Sequence, residues 1–201
     1  MNEDASDDLP RLSEKAPRFG SGIVRWFGRL GLRLMGWKVE GEIPNVPKAV
    51  FSAAPHTSNW DFIIAMLTVM ALGVKISYLM KKEAFFWPFK GLFRSLGGIP
   101  LDRRAADDTV SQIVSWLDKS EKMWVVITPE GTRKRVDKWK TGFLRVAAEA
   151  NVPVILVAWD YPSKTLFVDK LWHASGDHIS DAESIRTYIN NKYQGRHPEM
   201  Q

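Results

Sequence analysis

His56 and Asp61 are the residues of this chain whose types and spacing best suit chemistry. They bracket the segment Pro55-His56-Thr57-Ser58-Asn59-Trp60-Asp61, which directly follows the apolar run Ala49–Ala54. A carboxylate beside a histidine fixes the tautomer of the ring and stabilises its protonated form, so the ring can take a proton from a hydroxyl. The chain has no cysteine, and no serine lies in a nucleophile-elbow pattern. The pair therefore reads as a base acting on a substrate hydroxyl, with no covalent enzyme intermediate. The competing reading is that Asp61 only caps a helix and His56 is a turn residue.

Local structure must bring the two together. On an ideal helix a separation of five residues lies about 140° off the same face, so a continuous helix would keep them apart. They meet if His56 sits in a turn and the helix starts at Thr57 or Ser58. Ser58 is a good N-cap, and Asp61 then falls in the first turn, where negative charge is favoured.

The rest of the chain supplies a frame for that turn. Apolar β-type runs predict strands at 48–54, 76–80, 123–128 and 153–160, with a weaker hairpin-like strand at 165–169. Amphipathic or apolar periodicity predicts helices at 58–72, 88–96, 107–119, 141–150 and 180–193. Their alternation argues an α/β domain with a mainly parallel central sheet flanked by helices. In such sheets sites lie at the carboxyl ends of strands, where three of the motifs fall.

Two further segments carry anion-binding residue types. Gly97-Gly98-Ile99-Pro100-Leu101-Asp102-Arg103-Arg104 reads as a tight turn followed by Arg103, a forked donor suited to phosphate. The bland reading is a surface arginine beside Asp102. Thr128-Pro129-Glu130-Gly131-Thr132-Arg133 follows the strand 123–128. Gly131 lets the backbone turn. Thr132 and Arg133 suit a phosphate, and Glu130 either orients donors or holds the loop. From Arg133 to Arg145 there are six bases and one acid, so a solvated basic loop is the alternative. Val152-Pro153-Val154-Ile155-Leu156-Val157 reads as a buried strand. The aromatic segment 85–93, flanked by Lys81, Lys82, Lys90 and Arg94, suits either a headgroup interface or a core helix.

The N-terminus divides in two. Residues 1–17 are acidic and polar and read as a disordered tail. Residues 18–40 form a basic, tryptophan-rich amphipathic helix in which Arg25, Arg29 and Arg33 share one face. It either lies in a membrane interface or packs its apolar face on the domain. Gly20, Gly22, Gly28 and Gly31 weaken its helical propensity. Residues 41–201 make the main domain.

Composition bounds the function classes. The 201 residues are 45% apolar and 25% charged, as in a globular protein. The net charge of +5 favours anionic partners without choosing among them. The absence of cysteine excludes disulfides and thiolate metal sites. No secretory signal is visible at the start of the chain. The longest uncharged apolar run, Phe62–Val74, has thirteen residues, against the about 20 of a bilayer span, and reads as a buried core helix. No recognised nucleic-acid motif is present, so nucleic acid is not an expected partner.

Taken in order, these motifs resemble the four blocks of the glycerolipid acyltransferases, above all the bacterial 1-acylglycerol-3-phosphate acyltransferases. The blocks are the His56…Asp61 box, the Gly-Ile-Pro-Leu-Asp-Arg segment ending at Arg103, the Pro-Glu-Gly-Thr-Arg box at 129–133 and the Val-Pro-Val strand at 152–154. Lys140-Thr141-Gly142 is similar to the segment that follows the third block, and the resemblance covers roughly residues 45–160. It implies that His56 is the general base on the acceptor hydroxyl and that Asp61 orients it. It implies that Arg103, Glu130, Gly131, Thr132 and Arg133 bind the acceptor's phosphate or headgroup. It implies direct attack on an acyl thioester, with acyl-CoA or acyl carrier protein as co-substrate and neither metal nor other cofactor. The expected partners are a lysolipid acceptor, that donor and a membrane surface, and the expected location is peripheral, on the cytoplasmic face of the inner membrane. The acceptor expected first is 1-acylglycerol-3-phosphate; another lysolipid such as lyso-ornithine lipid, or thioester hydrolysis by water, are the alternatives. A non-catalytic membrane-binding protein is the reading outside enzymes. Two positions depart from the family: Pro100 stands where an aromatic is frequent, and Leu156 where a second proline is frequent.

Overall fold

The computed structural model describes residues 9–201 other than 82, 84, 85, 89, 96 and 102–105. Its centre is a seven-stranded sheet in the order β1-β7-β6-β2-β5-β3-β4. The strands are β1 (Lys38–Gly41), β2 (Lys48–Ala53), β3 (Ser77–Lys81), β4 (Gly98–Leu101), β5 (Met123–Ile127), β6 (Val154–Asp160) and β7 (Thr165–Trp172). The helices are α1 (Gly22–Met35), α2 (Asn59–Leu72), α3 (Lys90–Ser95), α4 (Ala106–Lys119), α5 (Gly142–Glu149) and α6 (His178–Lys192). Neighbouring strands are parallel except β6 and β7, which form the hairpin. The mainly parallel α/β expectation therefore holds, and the predicted strands and helices are all present with ends shifted by a few residues.

Strand alternation explains the layers. On β2, Ala49, Phe51 and Ala53 join a core with α1 and α2, whereas Val50, with Ala54 just past the strand, joins a second core under α4, α5 and α6. Trp124 and Val125 on β5, and Ile155 and Leu156 on β6, divide the same way. A central strand covered on both faces reads as a continuous apolar run, which is why β2, β5 and β6 are visible in sequence. Fully burying a side chain such as Ile64, Ile113 or Leu117 contributes about 1.5–3 kcal/mol each. Leu156 is completely buried in the second core, so this departure from the family pattern fills the interior.

Two strands escape sequence reading. β1 and β4 have four residues each and form the two edges of the sheet. β1 takes up the end of the helix expected over 18–40, which stops at Met35 where Gly36 turns left-handed (φ 70°), and in β4 the glycine and Pro100 look like turn chemistry. An edge strand tolerates a proline, because one of its sides carries no ladder bonds.

The N-terminal segment also differs from expectation. Residues 1–8 of the expected tail lie outside the described residues, but residues 9–17 pack on the domain. Ala16 is fully buried, and Leu9 and Leu12 lean on the first core. The Ser13 hydroxyl donates to the Pro44 carbonyl at 2.9 Å, and the Lys75 N–H donates to the Pro17 carbonyl at 2.9 Å. The apolar residues at 9, 12 and 16 offset the polarity that suggested disorder.

In α1 the glycines are packing residues. A Cβ on Gly28 would stand 2.3 Å from the Ala71 nitrogen, and one on Gly31 would stand 2.6 Å from Leu67 Cδ2. Their absence lets α1 lie directly against α2. The opposite side leaves Ile23, Trp26, Phe27 and Leu34 exposed, Leu34 by 78%. The helix thus packs on the domain and presents an apolar face as well. Gly28→Ala is expected to cost about 1–3 kcal/mol through overpacking against backbone. Gly22→Ala, where a Cβ meets nothing within 4 Å, is expected to be neutral or to stabilise by up to about 1 kcal/mol. Urea unfolding of the two variants checks the contrast.

Candidate active site

The sheet order places the site. β2 lies between β6 and β5, so whatever follows β5 and β6 at their carboxyl ends flanks whatever follows β2. After β2 the chain passes through Ala54 and Pro55 to His56 and then enters α2. Ser58 is extended (φ −145°, ψ 157°), and its side chain accepts from the Trp60 N–H. Asp61 closes the reciprocal half of the capping box. The helix begins where the cap predicts, which leaves His56 in the turn.

Asp61 is both a cap and a histidine partner. Its Oδ2 accepts from Thr57 N–H and Ser58 N–H, each at 2.9 Å, and lies 3.0 Å from His56 Nδ1. The carboxylate is completely buried, while the His56 side chain keeps 16% exposure. A carboxylate only accepts, so Nδ1 carries the ring proton and Nε2 holds the free lone pair. That arrangement can take a proton from a hydroxyl at Nε2. The two readings of Asp61 are therefore not alternatives.

From the β5 side comes Glu130. Its Oε1 accepts the His56 backbone N–H at 2.9 Å, and the residue is buried. Its Oε2 is buried without a hydrogen-bond partner among the described residues. Burial pushes this carboxyl up to about 7, partly opposed by the His56 N–H bond. In this position Glu130 holds the His56 backbone, which is the loop-holding role its motif allowed, and it does not face outward to an anion.

The sign of that shift gives a test. Between about pH 4.5 and 7 the native state keeps a proton that the unfolded chain has lost. Its contribution is complete below the unfolded value and is lost as pH rises through about 7. Glu130→Gln, which is always neutral, is expected to remove up to about 3 kcal/mol of pH-dependent destabilisation across that window. Urea midpoints of both proteins at several pH values check it.

The other predicted residues divide. Gly131 makes the turn after Glu130 with φ 64°, and a Cβ there would stand 2.9 Å from Lys140 Nζ. Thr132 and Arg133 lie exposed on the same loop. The Thr132 hydroxyl accepts from the Lys134 N–H at 3.3 Å. Arg133 has no hydrogen-bond or ion-pair partner among the described residues, which leaves its guanidinium available. Arg103 lies outside the described residues. Pro100, the other departure from the family pattern, sits in the edge strand β4.

Sequence reading missed several neighbours. Tyr161, just past the end of β6, donates its hydroxyl to Asp61 Oδ1 at 2.6 Å. The Trp159 ring centroid lies 5.9 Å from that of His56. The segment after α6 returns to the site, where the His197 N–H donates to the Thr57 hydroxyl at 3.2 Å and Arg196 stands 5.3 Å from the Trp60 ring. The only local hint of these contacts was the position of Tyr161 at a carboxyl strand end.

The described residues contain no group of three or more His, Cys, Asp and Glu arranged to hold a metal ion. No helix among them is long and apolar enough to cross a membrane.

The chain is 26% identical over 164 residues to the chloroplastic 1-acyl-sn-glycerol-3-phosphate acyltransferase LPAT1 of Arabidopsis thaliana. That match covers 78% of this chain and 43% of the plant protein, so the chain spans less than half the length of that relative. It shares its fold with the crystal structure of the 1-acyl-sn-glycerophosphate (LPA) acyltransferase PlsC from Thermotoga maritima. The TM-score is 0.59 at 17% identity, covering 83% of this chain and 75% of that one. The Acyltransferase family profile matches residues 38–159, more than half of the chain and inclusive of His56, Asp61 and Glu130. This chain belongs to the Acyltransferase family.

Proposed function

We propose that the protein transfers a fatty acyl group from a thioester, acyl-CoA or acyl carrier protein, to the hydroxyl of a lysophospholipid, with 1-acylglycerol-3-phosphate as the first acceptor. The observation that carries this reading is the 3.0 Å contact of His56 Nδ1 with the buried Asp61 carboxylate, which leaves Nε2 basic at the carboxyl end of β2. Nε2 takes the acceptor's hydroxyl proton as that oxygen attacks the thioester carbonyl. The tetrahedral intermediate collapses, the C–S bond breaks, and the imidazolium returns the proton to the leaving thiolate. The products are an ester and a free thiol, and no acyl-enzyme forms. Arg133 and Thr132, with Arg103 from the second motif, are the groups suited to the acceptor phosphate.

The same proposal puts the enzyme on a membrane surface as a peripheral protein, on the cytoplasmic face of the inner membrane. The exposed Ile23, Trp26, Phe27 and Leu34 of α1, beside the exposed Arg25, Arg29 and Arg33, support it. Ile23→Ser with Leu34→Ser is expected to weaken binding to anionic vesicles about tenfold or more without changing the unfolding midpoint. Sedimentation with vesicles measures this, and undiminished binding would contradict the membrane assignment.

The acceptor is tested by mass spectrometry of the lipid products. Wild-type protein is given acyl-CoA, lysophosphatidate, other lysophospholipids, lyso-ornithine lipid or no acceptor. Phosphatidate as the dominant product supports the first acceptor. A different acylated lipid moves the assignment to that acceptor, and free fatty acid alone would replace acyl transfer by hydrolysis.

A further inference from the structure

Asp61 carries more hydrogen bonds than a helix cap needs. Three donors from its own turn, His56 Nδ1, Thr57 N and Ser58 N, converge on Oδ2. Rotation of a carboxylate about Cβ–Cγ is soft. Such rotation moves both oxygens together, so a donor on either oxygen resists it. The hold on Oδ2 is joined by one on the other oxygen: the Tyr161 hydroxyl reaches Oδ1 at 2.6 Å.

Tyr161 is itself held. Its ring stands edge-on to Trp37 with centroids 4.9 Å apart, and its backbone N–H donates to the Gln194 carbonyl at 2.9 Å. Burial first, and then the bond to Asp61, keep the phenol above the usual tyrosine range, so it remains a donor at working pH. The charged or titratable groups facing this cluster are Asp61 from α2, Glu130 from the loop after β5, and Arg196 from the segment after α6, which interacts with the phenol.

We infer that Tyr161 is a positioning residue for the reaction, its hydroxyl locking the Asp61 carboxylate in the orientation that holds His56 Nδ1–H and leaves Nε2 free for the acceptor hydroxyl. The inference rests on the acyl-transfer reading for its kinetic consequence and on geometry alone for its effect on the His56 tautomer. Tyr161 acts through Asp61, so its removal disturbs orientation and not acceptor affinity.

The test is Tyr161→Phe, which keeps the ring against Trp37. The expected result is a fall in kcat of about 10- to 10²-fold with KM changed less than about twofold. In an Asp61→Asn background the same change should have no further effect. Nitrogen NMR of histidine-labelled protein, with the His56 signal identified by His56→Ala, needs no substrate. It should show Nδ1–H alone in the wild type and mixed tautomers in the variant. Unchanged kcat with an unchanged tautomer overturns the inference. A rise in KM alone would make Tyr161 a substrate contact and overturns it too, as does an equal loss in the Asp61→Asn background. Should Tyr161→Phe fail to fold, Trp37→Phe, which loosens the Tyr161 ring, should lower kcat in the same sense with mixed tautomers, and no change in either would overturn the inference. If wild-type protein releases no thiol with any acceptor, the functional reading fails while the tautomer measurement still decides the role of Tyr161.

Discussion

His56→Ala is expected to slow acceptor-dependent turnover about 10²- to 10⁴-fold while leaving the unfolding midpoint nearly unchanged. The ring's polar contact is one bond from Nδ1 to Asp61, and it lies partly open to solvent. Its removal takes no large apolar volume from either core. The backbone N–H that Glu130 accepts stays in place, because alanine retains it. The effect should appear in kcat, since proton transfer belongs to the transition state and not to acceptor binding. Near-normal kcat would remove the base assignment, and a collapse of the fold would show that the imidazole is structural.

Asp61→Ala should combine both kinds of damage. Loss of the carboxylate leaves Thr57 N–H, Ser58 N–H, His56 Nδ1–H and the Tyr161 hydroxyl without their acceptor in a buried place. Removing one side of a buried, charge-assisted cluster costs about 3–5 kcal/mol, and the α2 cap is lost with it. Asp61→Asn keeps the shape, with its amide oxygen left to the three donors at the Oδ2 position and its N–H₂ facing the Tyr161 hydroxyl, but it loses the negative charge that stabilises the protonated ring. Its turnover is expected to fall about 10²- to 10⁴-fold with a smaller loss of stability. Urea unfolding and steady-state kinetics of the two variants separate these effects. An Asp61→Asn protein with wild-type turnover would show that the carboxylate serves only as a cap.

What the sequence revealed follows from how locally each feature is encoded. The Ser58 cap and the His56–Asp61 spacing lie within one turn, so their geometry could be argued before the structure. Strands β2, β5 and β6 announce themselves because burial on both faces demands unbroken apolar runs. Glu130 was visible as a motif, but its bond to the His56 N–H spans 74 positions and depends on β5 lying beside β2. Tyr161 reaches Asp61 across 100 positions for the same reason on the β6 side. No periodicity or motif encodes such pairs; the order of strands does. Edge strand β1 was hidden in the end of the expected 18–40 helix, edge strand β4 by turn-like composition, and Leu9, Leu12 and Ala16 in an acidic, polar stretch. The glycines of α1 weakened its helical reading, and the structure shows them as its contact surface with α2.

The most direct measurement is thiol release from a long-chain acyl-CoA by purified wild-type and His56→Ala protein, with lysophosphatidate and without any acceptor, and with acyl carrier protein thioester as a second donor. Release is expected to require both the acceptor and His56, with one thiol formed per ester made. Release of equal rate without an acceptor, or undiminished release by His56→Ala, would contradict that expectation.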